Sequence, residues 1–399
     1  MTKRMKKSHK RNKIACLICF LYLLTVIGNV CVYGQEGTGE TKNNTSAQRV
    51  VRFGYVELKE YGSFTQLLLE IAREFADEGS LDSKLLEKYE EADFNTVFRP
   101  GDTKKLWDDI CDAQVEGARY QFCKEAFFNM EIMDEKDYSQ FINRDDVDIM
   151  FAMGTAPSVY LFENEEKNKF ISLYAADPVA SGIVKSTTER YKDNTYALMD
   201  YTPMLRQLEG GYKFLKFKKL GVVCEDSEIG RLQAAVPDIE QKAKELGFET
   251  VYEYVDEPVN EADEERYYGE MKQAYRNLIN KGIDCLYITI SAIDYENRMQ
   301  ELLDDAIIPN NIKTLAQDDL APLAYGALFG LTISNPEEEA AHVVAQIRDY
   351  AENKVPFDEL DMVCESTPKI GINYTTAKRI GFVLSFEDLQ MVDKVYRND

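Results

Sequence analysis

The chain has 399 residues, 45% of them hydrophobic and 29% charged, which is enough for two domains with buried cores. Its formal net charge is -23, and seven of its 47 Lys and Arg residues fall within the first 13 positions. The remainder carries 40 basic against 70 acidic side chains. Such a surface repels phosphate backbones and anionic lipid, which argues against a nucleic-acid partner.

The N-terminal segment has the order of a secretory signal. The basic stretch MTKRMKKSHKRNK precedes the apolar run IACLICFLYLLTVIGNVCVYG, as in a leader whose positive end stays inside the cell. Val32 and Gly34 are small enough for cleavage before Gln35. The run is also about as long as a bilayer-spanning helix, so an uncleaved anchor is the alternative, and lipid attachment at Cys31 is a third.

All three interpretations of this segment place the globular part outside the cytoplasm. We therefore predict a signal peptide or membrane anchor over residues 1–34. The stretch QEGTGETKNNTSAQ that follows is polar and rich in Gly, Thr and Asn, so we predict a flexible tether over residues 35–49.

Cysteine usage does not indicate a disulfide scaffold, because three of the eight cysteines belong to the leader and five remain for the rest of the chain. Cys224 and Cys285 lie in apolar, strand-like runs, which is typical of buried thiols. Cys111 and Cys123 could bridge each other, and the sequence leaves that pairing open.

From residue 51 onward, short apolar runs alternate with helical patterns, which predicts parallel sheets with crossover helices. The first series starts with the strand VVRFGYVEL and the helix FTQLLLEIAREFADEG, and the next strands are NTVFRPGD, VDIMFAMG and KFISLYAAD. The stretch Thr103–Arg144, which contains Trp107, is longer than one crossover helix needs and predicts additional helices.

A second series follows YALMDYTP. Its predicted strands are KKLGVVCED, TVYEYVDEP, IDCLYITIS and IKTLAQDD, with helices between them. The chain then adds LAYGALFGLTIS and an amphipathic helix, which is more than a second sheet needs. We expect this last piece to cross back and complete the first sheet. The sequence therefore predicts an α/β protein with two Rossmann-like, or flavodoxin-like, lobes.

Motifs for catalysis and cofactor binding are missing from the sequence. It contains no GxGxxG after the first strand, no GxxxxGK[ST] and no GxSxG, so neither a nucleotide cradle nor a nucleophile elbow is predicted. His9 and His342 are the only histidines, too few for a zinc site. We expect a protein that is not an enzyme and needs no cofactor or metal.

Small, polar and aromatic residues follow the predicted strands, at the edge where open α/β sheets bind ligands. Gly154-Thr155-Ala156 leads into a helix start, which favours an anion, with an ordinary cap by Thr155 as the alternative. Asp177 could bind an ammonium or hydroxyl group, or only begin a turn. The remaining candidates lie near the first strand, near the crossover or at strand ends of the second lobe: Tyr61, Ser63, Phe64, Tyr201, Glu225, Asp226, Ser227, Ser291, Asp294, Gln317 and Asp318.

Several of these elements occur in the order found in one protein family. The segments AMGTAPSVY and ISLYAADPVASGIV resemble elements of ABC-transporter substrate-binding proteins, whose better-known members serve tryptophan and tyrosine uptake. The similarity continues through KKLGVVCED and AYGALFGLTIS to KIGINYTTAKRIGFVLSFEDL, so it covers most of residues 145–390. The stretch KEYGSFTQ and the residues Cys224-Glu225-Asp226 depart from the family pattern at positions that help to choose the ligand.

The resemblance implies a type I periplasmic-binding fold, in which three crossing segments join two lobes and a ligand lies in the cleft. It predicts lobe 1 at residues 50–198 plus 319–354 and lobe 2 at 199–318 plus 355–399. The leading hypothesis is a monomeric, extracytoplasmic solute-binding protein of an ABC importer. It would capture a small molecule, such as an amino acid, by hinge closure and present it to a membrane permease. A tethered sensory or surface module of the same fold and an extracytoplasmic enzyme are the alternatives.

Overall fold

The computed structural model describes residues 49–93, 96–317 and 319–397. The predicted leader of residues 1–34 and the tether up to residue 48 lie outside the described residues, and so does the predicted site residue Asp318. Among the helices that the structure describes, none is both long and apolar enough to cross a bilayer.

Five parallel strands form the first sheet, in the order β2-β1-β3-β4-β5. These strands are β1 (Val51–Glu57), β2 (Tyr120–Asn129), β3 (Ile149–Met153), β4 (Lys169–Leu173) and β5 (Thr195–Ala197). β1 and β3 are buried along nearly their whole length, because helices cover both faces of a parallel sheet. This sheet and the helices on it are called lobe 1 below.

Seven strands form the second sheet, in the order β12-β11-β10-β9-β8-β6-β7, and this sheet with its helices is called lobe 2. Its strands are β6 (Lys219–Cys224), β7 (Glu249–Tyr254), β8 (Cys285–Ile288), β9 (Lys313–Ala316), β10 (Phe329–Leu331), β11 (Ile370–Asn373) and β12 (Lys394–Tyr396). β10 and β11 pair antiparallel, whereas the other neighbours are parallel.

The α-helices lie mainly in the connections between strands, as parallel sheets require. They are α1 (Gly62–Asp77), α2 (Ser83–Leu86), α3 (Asp102–Asp112), α4 (Thr155–Asn164), α5 (Pro203–Leu215), α6 (Glu228–Gln233), α7 (Val236–Leu246), α8 (Glu264–Asn280), α9 (Gln300–Leu302), α10 (Pro336–Ala351), α11 (Tyr374–Arg379) and α12 (Phe386–Gln390). Two π-helical segments, Tyr295–Met299 and Leu303–Ile307, flank α9. The predicted helix DYENRMQELLDDAI is therefore one continuous helical stretch of mixed π and α type.

The edge strand β2 replaces a predicted strand. NTVFRPGD was expected to form the second strand, but its described residues 96–100 form none. The stretch Thr103–Arg144 supplies that strand instead, because Tyr120, Phe122, Ala126 and Phe128 alternate toward the core. The prediction of helices only in this stretch is therefore wrong, although α3 is present and buries Trp107 completely.

The strand in AYGALFGLTIS lies in the second sheet, so the expectation that it completes the first sheet is wrong. Phe329 of β10 pairs with Leu315 of β9 and Ile372 of β11. Its ring also stacks on Phe214, with 4.2 Å between centroids. The chain therefore returns to lobe 1 only after β10, where α10 packs against α1 and joins the core of lobe 1.

Three crossing segments connect the two lobes, and hydrogen bonds join them into one ribbon. The first crossing follows β5, and its Met199 N–H donates to the Met362 carbonyl at 2.8 Å. The second follows β10, where the Thr332 N–H donates to the Lys369 carbonyl at 3.0 Å. Met362 and Lys369 bound the third crossing, which therefore pairs with each of the other two.

The cysteines Cys111 and Cys123 are both free thiols, so the possible bridge between them is not formed. Cys123 Sγ instead donates to the carbonyl of Asp146 at 3.0 Å. Burial raises the pKa of the Cys111 thiol to about 12, which keeps it protonated near neutral pH.

Candidate functional site

A cavity of about 570 Å³ lies between the two lobes, beside the crossing segments and at the carboxyl ends of β4 and β5. Its size is that of a small-molecule site. The lining residues come from both lobes and all three crossings: Ser63, Phe64, Tyr174, Ala175, Ala176, Asp177, Pro178, Leu198, Met199, Asp200, Tyr201, Pro203, Met204, Asp238, Ile333, Ser334, Glu339 and Cys364. Four of the predicted site residues are therefore brought together here, namely Ser63, Phe64, Asp177 and Tyr201.

Aromatic rings form one wall of this cavity. The ring centroids of Phe64 and Tyr174 are 6.1 Å apart, and Tyr61 packs edge-on against Phe64 at 5.1 Å. Tyr174 follows β4 directly and has a φ of 53°, a left-handed conformation that costs a non-glycine residue on the order of 1 kcal/mol. The bend turns the chain out of the sheet toward the cleft.

Tyr174 is held in this position by a buried carboxyl group. Its hydroxyl donates to Glu339 Oε2 on α10 at 2.8 Å. Glu339 Oε1 accepts from the Asn335 N–H at 3.2 Å and from the Ser366 hydroxyl at 3.3 Å. Burial raises the pKa of Glu339, while these hydrogen bonds oppose the rise. One carboxyl group therefore joins the end of β4 to the second and third crossings.

Asp177 and Asp200 end the segments that follow β4 and β5. Asp177 Oδ1 accepts from the backbone N–H groups of Val179 and Ala180 at 3.0 and 2.9 Å, which is the predicted turn before the proline. Asp200 Oδ1 accepts from the Thr202 N–H at 3.0 Å and from Arg206 Nη1 at 2.8 Å. The Asp177 side chain lies at the cavity edge, while Asp200 meets the start of α5.

The residues Gly154, Thr155 and Ala156 lie beside this cavity without lining it. Gly154 has a φ of 89°, and a Cβ there would lie 3.2 Å from the Phe64 ring. Thr155 Oγ1 accepts from the Ala176 N–H at 3.0 Å. These contacts hold the ends of β3 and β4 together and place Phe64 over the start of α4. Anion binding at this helix start remains a prediction.

The predicted residues of lobe 2 that the structure describes lie outside the 570 Å³ cavity. Ser227 caps α6 by accepting from the Gly230 N–H at 2.9 Å, and Asp294 accepts from the Asn297 N–H at 3.1 Å. Gln317 is buried and donates to the Gln233 carbonyl at 2.7 Å. Glu225 and Ser291 line a cavity of only about 20 Å³. Asp226 and Ser227 line a surface cavity of about 510 Å³ on α6 and α7.

A second cavity of about 660 Å³ adjoins the first and shares Ser63, Tyr174 and Ser334 with it. Tyr174 thus stands where the two cavities meet. Lys394 of β12 also lines this second space, and its ammonium lies 3.8 Å from the Asp93 carboxylate in lobe 1. The cleft therefore continues past Tyr174 toward the edge strand of lobe 2.

Several lining residues escaped sequence reasoning. Tyr174 stands in the quoted segment ISLYAAD and Asp200 is next to Tyr201, so strand-end position could have identified both. Asp238, Glu339 and Cys364 come from helices or a crossing segment far along the chain, and no local pattern marks them. Among the described residues, no group of three or more His, Cys, Asp or Glu side chains is arranged to hold a metal ion.

Comparisons with known proteins give matches among solved structures. No family model matches the chain, and no curated protein matches it. A ligand-free, open structure of a substrate-binding protein with adhesive properties from Clostridium difficile is 20% identical, with a TM-score of 0.59, over 88% of this chain and 100% of that one. An ABC domain from Streptococcus pneumonia in complex with L-Trp is 15% identical, with a TM-score of 0.50, over 87% and 99%.

These similarities establish the fold. The described chain has the α/β architecture of a type I periplasmic-binding protein, with two lobes and three crossing segments, as the sequence predicted. Within that class its fold is similar to that of the substrate-binding protein from Clostridium difficile and of the L-Trp-bound ABC domain from Streptococcus pneumonia.

Proposed function

We propose that the protein is an extracytoplasmic solute-binding protein of an ABC importer. It captures a small molecule, such as an amino acid, in the cavity between its lobes. The cavity of about 570 Å³ carries this proposal, because both lobes and all three crossings contribute to its wall. A solute that contacts both lobes favours the closed arrangement, in which both sets of contacts form. Binding and closure of the hinge would therefore be coupled.

The remaining parts of the proposal concern location and partners. Export follows from the predicted leader, which would be cleaved, retained as an anchor or lipidated, with residues 35–49 as a tether. The partner of the loaded protein would be a membrane permease, and the protein would act as a monomer. The lobe boundaries remain a proposal from the sequence, with two changes: β10 belongs to the sheet of lobe 2, and Phe357, Leu360 and Met362 pack in the core of lobe 1.

The test is solute binding by the full chain and by two tyrosine variants. Mass spectrometry would identify solutes that copurify, and calorimetry would measure their affinity together with that of a panel of amino acids and amines. Tyr201→Ala removes an aromatic side chain from the cavity wall and should weaken binding about tenfold. Tyr191→Ala is the matched control, because Tyr191 is similarly exposed and does not line the cavity. Equal loss in both variants, or no binding by any solute, would count against this site.

A surface module of the same fold is the second candidate. The comparison that favours it is the Clostridium difficile protein, which is described as having adhesive properties. An adhesive role would be unchanged in Tyr201→Ala, whereas uptake at low solute concentration would fall with the weaker binding. An extracytoplasmic enzyme is less well supported, because the compared proteins are described as a substrate-binding protein and as an ABC domain in complex with L-Trp.

A further inference from the structure

The walls of the 570 Å³ cavity carry charge of one sign. Four of the described residues that line it are acids, namely Asp177, Asp200, Asp238 and Glu339. No Lys or Arg is among the described lining residues. Arg206 lies behind Asp200 and neutralises it through a hydrogen bond of 2.8 Å. The other three acids receive no such ion pair from the cavity lining. A low-dielectric cleft with acids of this kind attracts cations and repels carboxylates.

The protonation behaviour of the lining residues is consistent with this charge. Burial raises the pKa values of Asp238 and Glu339, since no cation lines the cavity to stabilise their charged forms. Burial and the negative charge of Asp177 together raise the pKa of Tyr201. The Asp177 carboxylate therefore lies close enough to influence this aromatic residue of the cavity wall. A bound ammonium group would supply the missing counter-charge and oppose these shifts.

The aromatic wall is suited to the same kind of ligand. Phe64, Tyr174 and Tyr201 line the cavity together with Met199 and Met204. Ring faces attract ammonium groups by cation–π interaction, and the methionines offer an apolar surface that adapts to a hydrocarbon body. The positive end of α5 also reaches the cavity, but Asp200 already accepts from the Thr202 N–H there.

We infer, building on the proposed function, that the solute is an organic amine of net positive charge with an aromatic or aliphatic body. A zwitterionic amino acid would bring a carboxylate into a cavity whose side chains hold no base. Within this cavity the start of α1 contributes Ser63 and has no acid in its first turn, and Lys394 lines only the adjoining cavity, where it pairs with Asp93.

Two matched series of probes test this inference by calorimetry on the full chain. Tyramine, L-tyrosine and 3-(4-hydroxyphenyl)propanoate share a ring and carry charges of about +1, 0 and -1 near neutral pH. Pentylamine, L-norleucine and hexanoate share an aliphatic body and carry the same three charges.

In any series that binds, the amine should bind at least about tenfold more tightly than the other two probes, and its binding should weaken as salt is added. Tightest binding by an amino acid or an acid would overturn the inference and leave the proposed function standing. No binding in either series would count against both.

Charge-removing variants provide the second arm. Asp177→Asn retains an oxygen for the turn and Asp238→Asn retains the side-chain shape, and each should weaken binding of the amine about tenfold. Asp112→Asn is the control, because Asp112 is an exposed acid at the end of α3, pairs with Lys124 and does not line the cavity. Unchanged amine affinity in both cavity variants, with folding verified by circular dichroism, would overturn the inference.

Discussion

The hydroxyl of Tyr174 donates to Glu339 across 165 positions of sequence and joins the end of β4 to α10 at 2.8 Å. The same carboxyl group accepts from Asn335 and Ser366 in two crossing segments. The aromatic wall of the cavity and the ribbon that connects the lobes therefore depend on one buried acid. Loss of this contact would affect both.

Tyr174→Phe removes only the hydroxyl and leaves Glu339 buried with one hydrogen bond fewer. We expect the free energy of unfolding to fall by about 1 to 2 kcal/mol, because an acceptor that loses its donor inside the protein is not rehydrated. Urea unfolding followed by circular dichroism measures this change. Tyr191→Phe, at an exposed tyrosine, should leave the midpoint unchanged. Equal midpoints for wild type and Tyr174→Phe would show that the hydrogen bond contributes nothing.

A second buried acid, Glu57 at the end of β1, makes stability depend on pH. Burial raises its pKa from 4.5 to about 7, although Tyr55 and Asn129 donate to it at 2.9 and 3.1 Å. Because the folded state holds the proton more tightly than the unfolded state, the contribution is complete below pH 4.5. It is lost as pH rises through about 7.

Glu57→Gln should remove this dependence. Between pH 5 and pH 8 the wild type should lose on the order of 1 to 3 kcal/mol more stability than the variant, as measured by urea unfolding at both values. Glu265→Gln, at a side chain that is 83% exposed, serves as the control and should follow the wild type. A Glu57→Gln protein with the same pH profile as the wild type would contradict the assignment.

Two helical glycines should respond to alanine in opposite directions. A Cβ on Gly211 of α5 would lie 2.5 Å from Leu315 Cδ2, so Gly211→Ala overpacks the core of lobe 2 and should cost about 1 to 3 kcal/mol. A Cβ on Gly269 of α8 meets nothing within 4 Å, so Gly269→Ala should stabilise the helix by about 0.5 to 1 kcal/mol. Thermal unfolding of both variants measures these effects, and changes of the same sign would be inconsistent with this packing.

Thiol labelling distinguishes free cysteines from a bridge. Without reductant, Cys111 should resist alkylation in the folded protein near neutral pH, because burial raises its pKa to about 12. It should react fully once urea unfolds the chain. Peptide mapping by mass spectrometry identifies the site. If Cys111 and Cys123 stayed unlabelled in urea until a reductant was added, they would be joined rather than free.

The sequence by itself determined the alternation of strands and helices, and hence the two α/β lobes, because a parallel strand buried on both faces requires a nearly continuous apolar run. It also identified the end of β4, since Tyr174 to Pro178 combine small residues with an Asx turn that forms locally. Ser63, Phe64, Asp177 and Tyr201 lie in the cavity for the same reason, because each belongs to a segment that leaves a strand of lobe 1.

Only the tertiary structure decided where β2 and β10 pair and which distant side chains close the cavity. The edge strand β2 alternates buried and less buried residues at both of its ends, but the exposed pair Lys124 and Glu125 interrupts the pattern where its register against β1 shifts. Its partner β1 therefore defines it more than its own pattern does. β10 is three residues long and joins lobe 2 because Phe329 packs on Phe214 there. Asp238 and Glu339 reach the cavity through the packing of α7 and α10, and pairing of this kind leaves no trace in local periodicity.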